Sequence, residues 1–358
     1  MTKLGIMTLT PYPVPQAIDE IGKRSLDMEV EVFIFSPLSI DPYSENVTGY
    51  HYDENEWKKT TMPIPTLIYD RCFYNNPTDS QQAKRIVQWL KNRKDTLFIG
   101  YGLPDKWKMH TSLTNSPSLS AYLIDTEYVM NAESLLSFLQ KHKHVIMKPI
   151  DGAGGFAVYG LSLQDKHVVI SMTKEQVTKS KSLTLPMFST WVNALIKKHD
   201  FIVQKRIQSK TKNHEPFDIR IFLQKDEYGH WQKRGLGVRC GKEYSLLTNL
   251  HAGAEIIPLK TWKKSQKHLQ WEFIFTELQD LIASLPVILE ETFAPLFELG
   301  IDILIGEDSS IWICDINSKP GRTLIEKLYP DTLETLYYAP LQYCKHVERH
   351  WLNRSPLL

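Results

Sequence analysis

A lysine at position 148 closes an apolar run, and three glycines follow within four residues of one another: Lys148-Pro149-Ile150-Asp151-Gly152-Ala153-Gly154-Gly155. The run before it, 144–147 (HVIM), reads as a strand, and so does the run after it, 156–163 (FAVYGLSL). Glycines let backbone N–H groups come close to phosphate oxygens, and the lysine adds a positive charge. Two common phosphate motifs are excluded. No GK[ST] follows, so this is not a Walker A loop. A dinucleotide fingerprint opens a helix after its glycines, and here a strand follows. What remains is strand, flexible loop, strand: a lid able to fold over phosphates. An ordinary glycine-rich hairpin is the plain alternative.

The surrounding chain alternates. Residues 3–9, 30–35, 66–69 and 96–99 read as strands, 16–28 and 80–94 as helices, and 47–57 as a hairpin. Alternation of that kind predicts a small open α/β domain over roughly residues 1–100. Helices are expected at 106–113 and 131–142, and a short extended piece at 122–124. Beyond 148 the character becomes antiparallel, with strands at 156–163 and 167–172, a helix at 186–198 and a strand at 201–204. Strands at 219–224 and 231–239, helices at 267–285 and 287–299, and strands at 301–305 and 311–316 complete the pattern.

Charged residues interrupt the apolar strands at few places. Asp302 stands inside the run 300–305 (GIDILI), and Asp315 and Asn317 are alternate residues of the next strand. Alternation puts their side chains on one face. Two carboxylates and an amide oxygen on adjacent strands suit Mg²⁺, a hard cation that shares its coordination with phosphates. A turn at Pro320-Gly321 would account for Asp315 and Asn317, but not for Asp302. Arg220 lies in the apolar strand 217–222 (FDIRIF) and needs a partner there. A bound phosphate or carboxylate would serve, as would an acid such as Asp218.

Composition excludes other classes. The 358 residues are 42% hydrophobic with a net charge of +1, so neither a disordered chain nor one coating a polyanion is expected, and no nucleic-acid partner. No window approaches about 18 uninterrupted apolar residues, and the N-terminal run is short and broken by threonines and prolines. Neither a membrane span nor a signal segment is expected. Four dispersed cysteines offer no metal spacing, and Cys314 alternates away from Asp315 and reads as a core thiol. The lysines at 260, 263, 264 and 267 read as a solvated helix start, and His110, His251 and His350 as isolated.

Together, KPxxGAGG at 148–155, VQKRI at 203–207, DIR at 218–220, GIDI at 300–303 and DxNxxPG at 315–321 resemble the ATP-grasp superfamily. YDR at 69–71 and DKWKMH at 105–110 make the chain similar to its YheC/YheD group of endospore coat-associated proteins. The resemblance spans about residues 1–340. It implies the ATP-grasp fold, two α+β subdomains clasping ATP, preceded by a small open α/β domain. The corresponding division is 1–104, a lid subdomain 105–200, a metal-bearing subdomain 201–345 and a tail 346–358.

Residue by residue, the resemblance makes Lys148 the phosphate-reaching lysine and Gly152, Gly154 and Gly155 the mobile loop. It makes Lys106 the earlier nucleotide lysine, with Lys108 competing for that role. Gln204, Lys205, Arg206 and Ile207 become the hinge that meets adenine, Asn249 a polar residue near the phosphates, and Arg220 the catalytic arginine. Asp302, Asp315 and Asn317 become the Mg²⁺ ligands. The hinge departs from the Gln-Glu of many members, so an acid that often helps to hold the nucleotide is absent. The implied chemistry is ATP-dependent ligation of an unidentified carboxylate and amine through an acyl-phosphate, in the mother-cell cytoplasm or at the spore coat, with other coat proteins as partners. A coat protein that keeps the fold without turnover, and an ATP-grasp kinase, use the same residues. No protein nucleophile is required, which agrees with the lack of any GxSxG signature.

Overall fold

A computed structural model of the chain describes residues 1–74, 77–152, 155–174, 177–246, 248 and 253–354. Three sheets organise it. The first contains β1 (Thr2–Met7), β2 (Val30–Asp41), β3 (Asn46–Asp53), β4 (Glu56–Pro63), β5 (Leu67–Asp70) and β6 (Leu97–Phe98), in the order β4-β3-β2-β1-β5-β6. β1 pairs in parallel with β2 and β5, and β5 with β6, whereas β3 and β4 are antiparallel additions. Parallel strands need both faces covered, and alternation along β1 and β2 supplies both. Leu4, Ile6, Val30, Val32 and Ile34 pack on α1 (Gln16–Ser25) and the last helix of the chain. Met7, Phe33 and Phe35 pack with Val87 and Leu90 of α2 (Pro77–Lys91).

The second sheet has the order β11-β10-β9-β8-β12-β7. Its strands are β7 (Thr126–Tyr128), β8 (His144–Pro149), β9 (Tyr159–Gln164), β10 (His167–Lys174), β11 (Val177–Thr184) and β12 (Phe201–Lys205). α3 (Lys106–Leu113) precedes it, and α4 (Ala132–His142) and α5 (Leu185–Ile196) cover one face. Phe138 and Phe188 on these helices bury Val145, Met147 and Phe201. The alternate residues of β8, His144, Ile146 and Lys148, are left for the opposite face.

The third sheet, β15-β14-β13-β16-β17, is antiparallel throughout. It comprises β13 (Phe217–Lys225), β14 (Trp231–Cys240), β15 (Glu255–Pro258), β16 (Glu298–Ile305) and β17 (Ile311–Asn317). Ile219, Ile221, Ile301 and Ile303 rest on Ile274, Leu278, Leu281 and Leu285 of α7 (Trp271–Thr292). α6 (Leu259–Ser265) carries exposed Lys260, Lys263 and Lys264 around buried Trp262, a solvated helix as expected. α8 (Thr323–Leu328) and α9 (Leu333–Arg354) end the described chain.

Several expectations need correction. The two helices at 267–285 and 287–299 are one helix, α7, with Pro286 inside it. The ring removes one N–H, but Leu281, Leu285 and Leu289 continue a single buried stripe across it, and packing outweighs the lost bond. Residues 298–299 already belong to β16. Of the piece expected to be extended at 122–124, Tyr122 closes a tight helical turn, Ser120–Tyr122, while Leu123 is extended and bridges in parallel to Ile313 ahead of β7. β11 went unread because its sequence, VTKSKSLT, buries only Leu183; it is a lysine-bearing edge strand with no apolar face to announce it. α9 runs on through 346–354, the stretch expected to be a tail, and carries Tyr337, Leu341 and Cys344 back onto the first sheet.

Candidate functional site

A cleft of about 1160 Å³ opens between the free face of the second sheet and the third sheet. Its described lining holds the cations Lys106, Lys148, Lys205, Arg206, Lys210, Arg220, Arg239 and Lys319 against the carboxylates Asp218, Asp302 and Asp315. A chain of net charge +1 thus concentrates positive charge here.

Lys148 is the penultimate residue of β8 and is 9% exposed. Its Nζ crosses the cleft and donates to the backbone oxygen of Cys314 at 2.9 Å, which ties the second sheet to β17. Lys106 opens α3, whose N-cap Asp105 accepts a hydrogen bond from the backbone of Lys108. Lys106 Nζ donates to the Gly152 carbonyl at 2.6 Å and stands 3.6 Å from Asp315 Oδ1. Lys108 is exposed and does not line the cleft, so of the two lysines Lys106 is the one placed there. Gly152 and Gly155 line it, Gly155 with a φ of +81° that side chains rarely adopt. Gly154 and Asn249 lie outside the described residues, as does His251.

Strand register assembles the acidic part. Arg220 on β13 is opposite Asp302 on β16, and Asp302 is opposite Asp315 on β17. Asn317 Nδ2 lies 3.4 Å from Asp315 Oδ2. Gly300 makes this possible: a Cβ there would stand 2.6 Å from Arg220 Nη1 and 2.8 Å from Pro320 Cβ. Arg220 Nη1 meets Asp302 Oδ1 at 2.9 Å, but its N–H is not aimed at the oxygen, and both buried atoms lack an aligned hydrogen bond. Arg239 was missed from the sequence. Its guanidinium grips Asp218 at 2.8 and 2.6 Å and reaches Asp302 Oδ2 at 2.8 Å, while Thr248 also donates to Asp218. The sequence singled it out little, since Arg239 is the third cation of β14 after Lys233 and Arg234, and only the strand register sets it against Asp218.

The two central carboxyls are pushed apart. Burial raises Asp302 above the usual carboxylate range, even with two guanidiniums against it. Burial also works against Asp315, but Lys106, Lys148 and Arg220 together hold it below that range. Cys314 is not a core thiol. Ile303 pairs with Ile313 and Asp302 with Asp315, so Cys314 is the extra residue of a bulge and is turned into the cleft lining. Burial pushes its thiol up to about 11, so it stays protonated at neutral pH.

Among the described residues no three His, Cys, Asp or Glu side chains form a metal cluster. Magnesium does not require one, because it takes one or two carboxylates and completes its shell with phosphate oxygens and water. Asp315, Asn317 and the orphaned Oδ1 of Asp302 make a donor set of that kind. Gln204, Lys205, Arg206 and Ile207 all line the cleft, and Gln204 Nε2 donates to Thr126 Oγ1 at 3.0 Å. No carboxylate pairs with Arg206 among the described residues, and burial lowers its pKa.

Comparison with known proteins agrees with this geometry. The pattern of YheC/D-like ATP-grasp proteins matches residues 95–347. The endospore coat-associated protein YheC of Bacillus subtilis (strain 168) is 37% identical over 351 residues, 97% of this chain and 96% of that one. The ATP-grasp ligase PsnB, solved with a phosphomimetic variant of its minimal precursor, Mg and ADP, superposes with a TM-score of 0.55 at 12% identity, covering 96% of this chain and 99% of PsnB. The D-cycloserine synthetase DcsG gives a TM-score of 0.53 at 9% identity over 97% and 99% of the two chains. At these identities the solved structures show a shared ATP-grasp fold. Among the described residues no helix is long and apolar enough to cross a membrane.

Proposed function

The chain belongs to the YheC/D-like ATP-grasp family, and on that premise we propose that it binds Mg·ATP in this cleft and uses it to join a carboxylate to an amine. The observation that carries the reading is the concentration of cations around Asp315 and Asn317, in a cleft whose described lining includes Lys148, Gly152 and Gly155. Lys148 and Lys106 would neutralise the phosphates from the lid side and fix their position. Asp315, Asn317 and Asp302 would hold Mg²⁺, which when bound supplies charge neutralisation at the β- and γ-phosphate oxygens. Arg220, already in place before substrate arrives, would stabilise the charge on the transferring phosphoryl group.

A substrate carboxylate oxygen attacks the γ-phosphorus, the bond to the β-phosphate oxygen breaks, and ADP leaves. The product is an acyl-phosphate. An amine then attacks the acyl carbon, inorganic phosphate leaves, and the amine loses a proton as the amide forms. No side chain of the protein enters a covalent step, which suits a cleft whose one thiol stays protonated. The name of the B. subtilis relative supports a role for this chain in the sporulating mother cell or on the spore coat.

The reading is tested by ADP release with panels of amino acids and short peptides. Release that needs one carboxylate and one amine together is the expected result. Release with a hydroxyl acceptor alone would instead make it a kinase, and ATP binding without turnover under every acceptor would make it a structural coat protein.

A further inference from the structure

The two walls of the cleft change character in step. On β8 the cleft-facing residues run Lys148, Ile146, His144, and on β12 Gln204 is registered against Ile146. On β16, Asp302 is followed two residues on by Leu304. Two residues of a strand span roughly 6.6–6.8 Å. Beyond the charged end each wall thus gives the cleft lining an apolar side chain, Ile146 on one and Leu304 on the other, an apolar slot in the lining with Gln204 beside Ile146. Such a slot suits the flat ring of a base whose phosphates lie by Lys148 and Asp315. This inference rests on the nucleotide reading given above.

A short relay sets which end of the Gln204 amide faces the slot. Thr126 Oγ1 lies 2.6 Å from the backbone oxygen of Ile124. Two oxygens that close need a proton between them, and a carbonyl has none to give, so the hydroxyl donates. What remains to Thr126 Oγ1 is to accept. Gln204 Nε2 stands 3.0 Å away and donates to it. With the amide turned over, an oxygen would face a hydroxyl whose only proton is already used. Both side chains are buried, at 7% and 8% exposure, so water offers little alternative. Gln204 Oε1 is thereby turned from Thr126, and among the described residues no donor meets it.

We propose that Thr126 is a positioning residue that fixes Gln204 as an acceptor at the edge of the base slot, so that the cleft selects a purine with an amine at position 6. Adenine offers that donor. Hypoxanthine and guanine present a carbonyl there, which sets two acceptors against each other. A site built around one hydrogen bond discriminates strongly against an analogue that lacks it.

The test is calorimetric titration of the intact chain with Mg·ATP, Mg·ITP and the magnesium triphosphate of purine riboside, which lacks the amine but keeps the unprotonated ring nitrogen beside it. Wild type is expected to bind ATP at least about tenfold more tightly than either analogue. Thr126→Ser keeps the hydroxyl and keeps that ratio. Thr126→Val frees the amide to rotate and brings the ratio to within about threefold of one. Should Thr126→Val melt early, Thr126→Ala reads the same ratio. A valine or alanine variant that keeps the wild-type ratio overturns the relay, as does wild type that binds ATP and ITP alike. Wild type that binds none of the three overturns the nucleotide reading itself.

Discussion

Lys148 is held across the cleft by a carbonyl oxygen, and among the described residues no carboxylate meets its ammonium directly. Arg220 is placed by an absence, since Gly300 offers no Cβ on the strand opposite. Gly300→Ala puts a methyl 2.6 Å from Nη1 and forces the guanidinium aside. The expected cost is about 1–3 kcal/mol of stability by denaturant titration, together with weaker binding of Mg·ATP. Unchanged stability and affinity would mean that Arg220 is not confined by this approach. At this scale Arg220, Asp302, Asp315 and Asn317 were legible because polar side chains in apolar strands need a reason to be there. Arg239 was not, because it stands near the end of its strand where a charge excites no question. Cys314 was misread because strict alternation cannot show a bulge.

At the scale of elements, local pattern sufficed where one face is buried and failed where packing partners are distant. β1, β2, β8 and β13 announce themselves by apolar runs. β11 does not, because nearly all of it faces solvent. Pro286 was read as a break, yet the core contacts of α7 run past it. α9 went unread, and its apolar stripe is answered by α1 and β1, more than 300 residues earlier. Leu341, fully buried between α9 and the first sheet, tests that docking. Leu341→Ala should destabilise the chain by about 2–5 kcal/mol, with early proteolytic cleavage in the first sheet. A loss under about 1 kcal/mol would show that α9 is not needed to cover β1 and α1.

At the scale of the whole molecule, the first sheet is clasped to β16 and to the loop that follows β17. Three successive residues do this. Tyr69 accepts a hydrogen bond from Arg322 at 3.4 Å, Asp70 pairs with Lys319 at 2.7 Å, and Arg71 pairs with Glu298 at 2.9 Å. Tyr69 also meets Phe297 edge to face at 5.5 Å. The YDR motif that narrowed the family resemblance is thus part of how the first sheet is joined to the cleft. Removing one partner of a buried pair leaves the other uncompensated, so Asp70→Ala should cost about 3–5 kcal/mol in a thermal or denaturant melt. A neutral result would make the clasp incidental. The near cancellation of charge over the chain and its concentration in one cleft lead to the same central claim, that the cleft holds a metal–triphosphate. Calorimetric titration of the folded wild type and of Asp315→Ala with Mg·ATP tests it most directly. The account predicts binding by wild type and a loss of at least about tenfold in the variant; no binding by a wild type whose melt shows it folded, or equal binding by both, would contradict it.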